Sequence, residues 1–97
     1  MNRNTIISEI TLNQSKLQAV GVAHVYLFGS VLHGNAGESS DVDLLFDQNL
    51  PSFGLIEYAR LKRLASELLP FPVDFVERSC LDPDVGKRVL PEALQVF

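Results

Sequence analysis

Two aspartates separated by one residue, Asp41 and Asp43, close a stretch that opens with Gly29-Ser30, and these four residues have the types and spacing to do chemistry. Residues two apart on an extended chain point to the same face, with Cα atoms about 6.5–7 Å apart. Two carboxylates so placed can converge on a pair of metal ions roughly 3.5–4 Å apart, the separation used in two-metal phosphoryl chemistry. Without cations they repel each other, and aspartate is a poor strand former, so two in one β-forming run need a reason. Gly29 is the complementary half, because a residue without Cβ lets the backbone approach a ligand closely. A helical turn opening at Ser30 would aim free N–H groups at phosphate oxygens, and the Ser30 hydroxyl would add a hydrogen bond. A lone Asp-x-Asp reads as a solvated strand end. With Gly29-Ser30 upstream and Ser40 just before it, the pair reads as a site for metal and phosphate.

Asp74 is the third acid of interest. It interrupts the apolar run Val73-Asp74-Phe75-Val76, where a charge is costly unless it is paired or near a metal. If that run pairs beside the Asp41 strand, Asp74 completes an acidic cluster and can share a metal or accept a proton from an attacking hydroxyl; the plainer alternative is an edge-strand acid facing water. Other polar residues have simpler readings. Asp47 is in phase with Asp41 and Asp43 but is expected in a turn, Tyr26 and Tyr58 in packing, His24 and Cys80 in structural or inert roles, and Arg60, Lys62 and Arg63 on a solvated helix face. His33 lies in the candidate loop, where it reads either as a surface loop residue or as a participant in the chemistry.

The elements that must position these residues follow from periodicity. Ile6, Ile7, Ile10, Leu17 and Val20 recur near a helical period, with Gly21 as the stop. His24 to Phe28 is a β-forming run ending at Gly29; Ser30 to Ser40 is a loop; Asp41 to Phe46 is a second strand. Phe53, Ile56, Ala59, Leu61, Leu64 and Leu68 trace a helical stripe, with Ser52 as candidate cap and Pro70 as stop. Val73 to Val76 is a third strand, and the tail from Leu81 to Leu94 is weakly helical. This order predicts an α/β (α+β) domain spanning residues 1–97, with helices flanking one small mixed β-sheet.

Bulk composition narrows the functions. Eight basic against twelve acidic residues give a net charge of −4, which argues against nucleic-acid binding through clustered Lys and Arg. The 46% hydrophobic content supports a packed core. One cysteine cannot form an internal disulfide, and no apolar run is long enough for a membrane span, so a soluble cytoplasmic protein is expected.

The block from Gly29 to Asp47 resembles the DNA polymerase beta-like nucleotidyltransferase superfamily, and most closely its minimal nucleotidyltransferase branch. There the loop reads Gly-Ser-x-Ala-Arg-Gly and is followed by a Ser-Asp-x-Asp-Leu strand. Gly29, Ser30, Gly34, Ala36, Ser40, Asp41, Asp43 and Leu44 fall on that pattern. The resemblance implies the polymerase beta-like fold, binding of ATP with two Mg²⁺ ions, and transfer of AMP to a hydroxyl with release of pyrophosphate. It implies Asp41, Asp43 and Asp74 as catalytic metal ligands and Gly29, Ser30 and Ser40 as nucleotide contacts. It further implies an antitoxin partnered with a HEPN-domain ribonuclease toxin, which the transfer modifies. Two positions that are usually basic depart from the pattern. His33 stands where an arginine is usual and Gly37 where a second basic residue is usual, so some positive charge facing the triphosphate is missing. The alternatives are therefore an antitoxin that acts by covering its toxin and, ranked last for want of an acceptor domain, a small-molecule nucleotidyltransferase.

Overall fold

The computed structural model describes residues 2–29 and 41–97. Ser30, His33, Gly34, Ala36, Gly37 and Ser40, singled out above, lie outside the described residues.

The N-terminal helical period is divided between two helices, α1 (Arg3–Leu12) and α2 (Gln14–Ala19). The Asn2 side chain caps α1 by accepting from the Thr5 N–H at 2.9 Å. The break falls at Asn13, whose side-chain amide donates to the Glu9 carbonyl at 2.8 Å; such local side-chain bonds compete with the helix ladder. Ile6, Ile10 and Leu17 nevertheless stay on one buried side. Gly21 makes the exit turn at φ +111°, a conformation that favours glycine.

Strand β1 (Val22–Phe28) pairs antiparallel with β2 (Val42–Gln48), and β2 pairs parallel with β3 (Val73–Glu77) after the crossover helix α3 (Leu55–Leu68). A 3₁₀ turn (Arg78–Cys80), helix α4 (Pro83–Val89) and a short strand β4 (Leu94–Gln95) complete the chain. The sheet order is β3-β2-β1-β4, so the mixed sheet flanked by helices agrees with expectation. Val25, Leu27, Val42, Leu44, Phe46 and Phe75 face α1, α2 and α3 and form the core with Ile6, Ile10, Leu17, Leu61 and Ala65. Phe46 is its centre, 5.4 Å from Phe53 and 5.8 Å from Phe75 between ring centroids. No helix among the described residues is long and apolar enough to cross a membrane.

Three expectations about local structure are corrected. Helix α3 is capped at Gly54 rather than Ser52: the Glu57 carboxylate reaches back to the Gly54 N–H at 2.8 Å, half of a capping box. Its inward stripe runs Tyr58, Leu61, Ala65, Leu68, while Ile56 is 67% exposed; five positions separate Ile56 from Leu61, which turns it roughly 140° away at 3.6 residues per turn. The tail does not stay helical to Leu94. Beyond Pro91 it adds β4 to the edge of β1, with Tyr26 opposite Gln95 and the Val96 N–H donating to the Val25 carbonyl at 2.8 Å.

Candidate functional site

Strand alternation sends Val42, Leu44 and Phe46 into the core and turns Asp43, Leu45 and Asp47 to the opposite face of the sheet. The parallel register places Asp43 directly beside Asp74, and the antiparallel register places it opposite Phe28. Asp74 thus stands next to the Asp41–Asp43 strand, the arrangement that the sequence left conditional. Asp41 is exposed just before β2, in phase with Asp43. All three carboxylates therefore collect at one end of the β2–β3 pair.

Gly29 closes the site from the β1 side. It adopts φ +79°, and a Cβ built on it would lie 2.3 Å from Oδ2 of Asp43 and 3.1 Å from its Cγ. The carboxylate thus packs directly against glycine backbone, a separation no other residue type tolerates. The close backbone approach expected at this position is made toward the acid of the strand itself.

The electrostatics follow from the placement. Burial raises the Asp43 pKa above its ordinary value, and the negative charges of Asp74 and then Asp41 push it further in the same direction. Among the described residues, no three His, Cys, Asp or Glu side chains are drawn together closely enough to hold a metal ion. Asp41, Asp43 and Asp74 instead face one region as separate anionic oxygen donors. Carboxylate oxygens are the ligands that a hard cation such as magnesium takes, and a cation there would offset the repulsion that adds to burial in raising the Asp43 pKa. The donors are thus of the type that suits such a cation, while their side chains as they stand do not converge on one point.

Tyr58 and Asp47 do more than the sequence reading allotted to them. The Tyr58 hydroxyl donates to the Phe75 carbonyl, one residue past Asp74. Burial, then the Asp74 charge, raise its pKa and keep the phenol protonated as a donor. Asp47 lies inside β2 rather than in a turn. It accepts from the Tyr26 hydroxyl at 3.0 Å and from Nε of Arg78 at 2.8 Å, while the Arg78 guanidinium lies 5.1 Å from the Tyr26 ring centroid. This group ties β1, β2 and the end of β3 together, four residues along β2 from Asp43. The in-phase position of Asp47 was its only sequence signal; Arg78 had none.

Residues 8–94 match the family described as nucleotidyltransferase domain. The chain is 37% identical over 93 residues to the protein adenylyltransferase MntA of Thermococcus cleftensis, covering 94% of this chain and 92% of that protein. It is 32% identical over 81 residues to a Methanocaldococcus jannaschii protein provisionally named a protein adenylyltransferase, covering 79% of this chain and 82% of that protein. Among solved structures, one provisionally named a minimal nucleotidyltransferase superposes with a TM-score of 0.81 at 35% identity, over 97% of this chain and 95% of that one. A toxin-antitoxin crystal structure with AMP-PNP shares the fold at a TM-score of 0.68 and 23% identity, over 100% of this chain and 73% of that one. With the paired strands, the acids at their ends and the glycine turn against them, these likenesses establish that the chain belongs to the nucleotidyltransferase domain family.

Proposed function

We propose that this nucleotidyltransferase is a magnesium-dependent adenylyltransferase that moves AMP from ATP to a hydroxyl of a partner protein. We take that partner to be a HEPN-domain toxin, which the modification neutralises. The observation that carries the reading is the side-by-side register of Asp43 and Asp74 with the Gly29 backbone against the Asp43 carboxylate. The identity to MntA of T. cleftensis supports the reaction and its protein acceptor. The toxin partner rests on the resemblance of the Gly29–Asp47 block, and the toxin-antitoxin structures of the same fold agree with it.

In this reading Asp41, Asp43 and Asp74 hold magnesium, and Gly29, Ser30 and Ser40 grip the phosphates. Bound there, the metal supplies positive charge against the triphosphate. Asp74, the most open of the strand acids, receives the proton of the acceptor hydroxyl. The hydroxyl oxygen forms its bond to the α-phosphorus as the bond from that phosphorus to the pyrophosphate oxygen breaks, and pyrophosphate leaves in line. Because Asp43 and Asp74 sit side by side on paired strands, their spacing is set by the sheet, and positioning does most of the catalytic work.

The test is the intact mass of the protein encoded beside this one after incubation with the domain, ATP and magnesium. A gain of whole AMP units supports the reading. A stable complex without mass gain would replace it with an antitoxin that acts by contact, the alternative that His33 and Gly37 favour.

A further inference from the structure

A groove of about 440 Å³ runs from Asp74 along the outer side of β3, between that strand and the start of α3. Strand β3 is an edge of the sheet, and among the described residues no strand covers this side. The groove walls are Phe53, Leu55, Tyr58 and Val76, and its only charged lining residues among those described are Asp74 and Glu77. Leu55 is 83% exposed and its neighbour Ile56 67%, an unusual pair of aliphatic side chains to leave in water beside a cluster of acids. Glu77 is held in place at the far end, accepting from the Ser79 hydroxyl at 3.0 Å and from Sγ of Cys80 at 3.5 Å. Lys62, 5.8 Å from the Tyr58 ring centroid, belongs to the separate depression at the other end of β3.

Beyond Asp74 these walls do not suit nucleotide phosphates, since among the described lining residues they offer apolar side chains and the Glu77 carboxylate. A polypeptide segment that is apolar and carries a positive charge does suit them. We propose that this groove docks the acceptor polypeptide, which places an aliphatic or aromatic side chain against Leu55, Phe53 and Val76 and a Lys or Arg against Glu77, so that its hydroxyl arrives at Asp74. The inference rests on the adenylyltransferase reading for the role of Asp74, and adds the acceptor's recognition chemistry. Apolar contact supplies the affinity, and the acid at the groove end selects charge and direction.

The test uses two synthetic peptides of equal length, one with its hydroxyl residue flanked by Leu and Lys, the other flanked by Ser and Glu. They are titrated into the isotope-labelled protein without ATP. The Leu-Lys peptide is expected to shift the amide signals of Leu55, Val76 and Glu77 and to slow alkylation of Cys80, which lines the groove and is exposed. Leu55→Asp changes a side chain that the fold does not bury, and is expected to weaken that peptide roughly tenfold, the loss of about one leucine contact, with ATP affinity unchanged. Equal binding of the two peptides, binding of neither, or no effect of Leu55→Asp overturns the groove. Binding is read without turnover, so a groove that binds in a protein that transfers no AMP would sink the enzymatic reading alone. Transfer to a protein acceptor with its KM unaltered by Leu55→Asp would sink the groove alone.

Discussion

Replacing Gly29 by alanine tests the packing of the site at its tightest point. Two separable costs follow from the structure. The first is conformational: φ is +79°, and an L-residue in the left-handed region costs about 1–2 kcal/mol. A domain of this length loses roughly 4–8 °C of Tm per kcal/mol, so the backbone alone accounts for roughly 4–16 °C. The second is contact: the new Cβ would stand 2.3 Å from Oδ2 of Asp43, so the carboxylate must swing away from its place beside Asp74. A double-mutant cycle with Asp43→Ala separates them. The conformational cost survives in the double variant and the contact does not, so Gly29→Ala is expected to cost less there, with a coupling of roughly 0.5–3 kcal/mol. The assay is thermal unfolding of the four proteins in EDTA, followed by circular dichroism. Strict additivity would refute the claim that the glycine exists to admit the carboxylate, and an unchanged Tm for Gly29→Ala alone would refute the turn geometry as well.

Three further outcomes follow. Asp43→Asn should raise the metal-free Tm at neutral pH, because the folded pKa of Asp43 lies above its ordinary 3.8 and the group costs stability once ionised. That gain should disappear as the pH falls below the ordinary value, where the carboxyl is protonated in both states; a gain independent of pH would contradict it. Arg78→Ala should lower stability by about 0.5–1 kcal/mol, the range of a largely solvent-screened ion pair, with the loss shrinking at high salt, as checked by urea unfolding at two ionic strengths. Tyr58→Phe should cost about 1 kcal/mol by leaving the Phe75 carbonyl without its donor; no change in a denaturation midpoint would show that water replaces the hydroxyl.

Much of the architecture could be read from the chain because Asp43 and Asp74 sit on strongly patterned strands. Val25-Tyr26-Leu27-Phe28 and Val42-Asp43-Leu44 alternate between two faces, so the side on which Asp43 must emerge was fixed by its neighbours. The α3 period between two strands was legible, while its role as the crossover that brings β3 parallel to β2 emerged from the structure. What could not be read depends on contacts distant in sequence. The register that pairs Asp43 with Asp74 is set by packing of Phe46 and Phe75 around one core, which no local pattern encodes. The Asn13 break comes from a side-chain bond that competes with the helix, and strand β4 exists only because the edge of β1 is free to receive Leu94 and Gln95. Asp47 looked like a turn acid because its partners Tyr26 and Arg78 lie 21 and 31 residues away.

In the proposed function the acids at the ends of β2 and β3 carry AMP transfer. This is tested most directly by comparing incorporation of AMP into the partner protein by the unaltered domain and by Asp43→Asn, under saturating ATP and magnesium, with folding of both verified by circular dichroism. The folded variant is expected to lose transfer by on the order of a hundredfold or more, the scale of removing one preorganised electrostatic contributor. Transfer by Asp43→Asn at a rate comparable to that of the unaltered protein would contradict it and move the chemistry away from these strands.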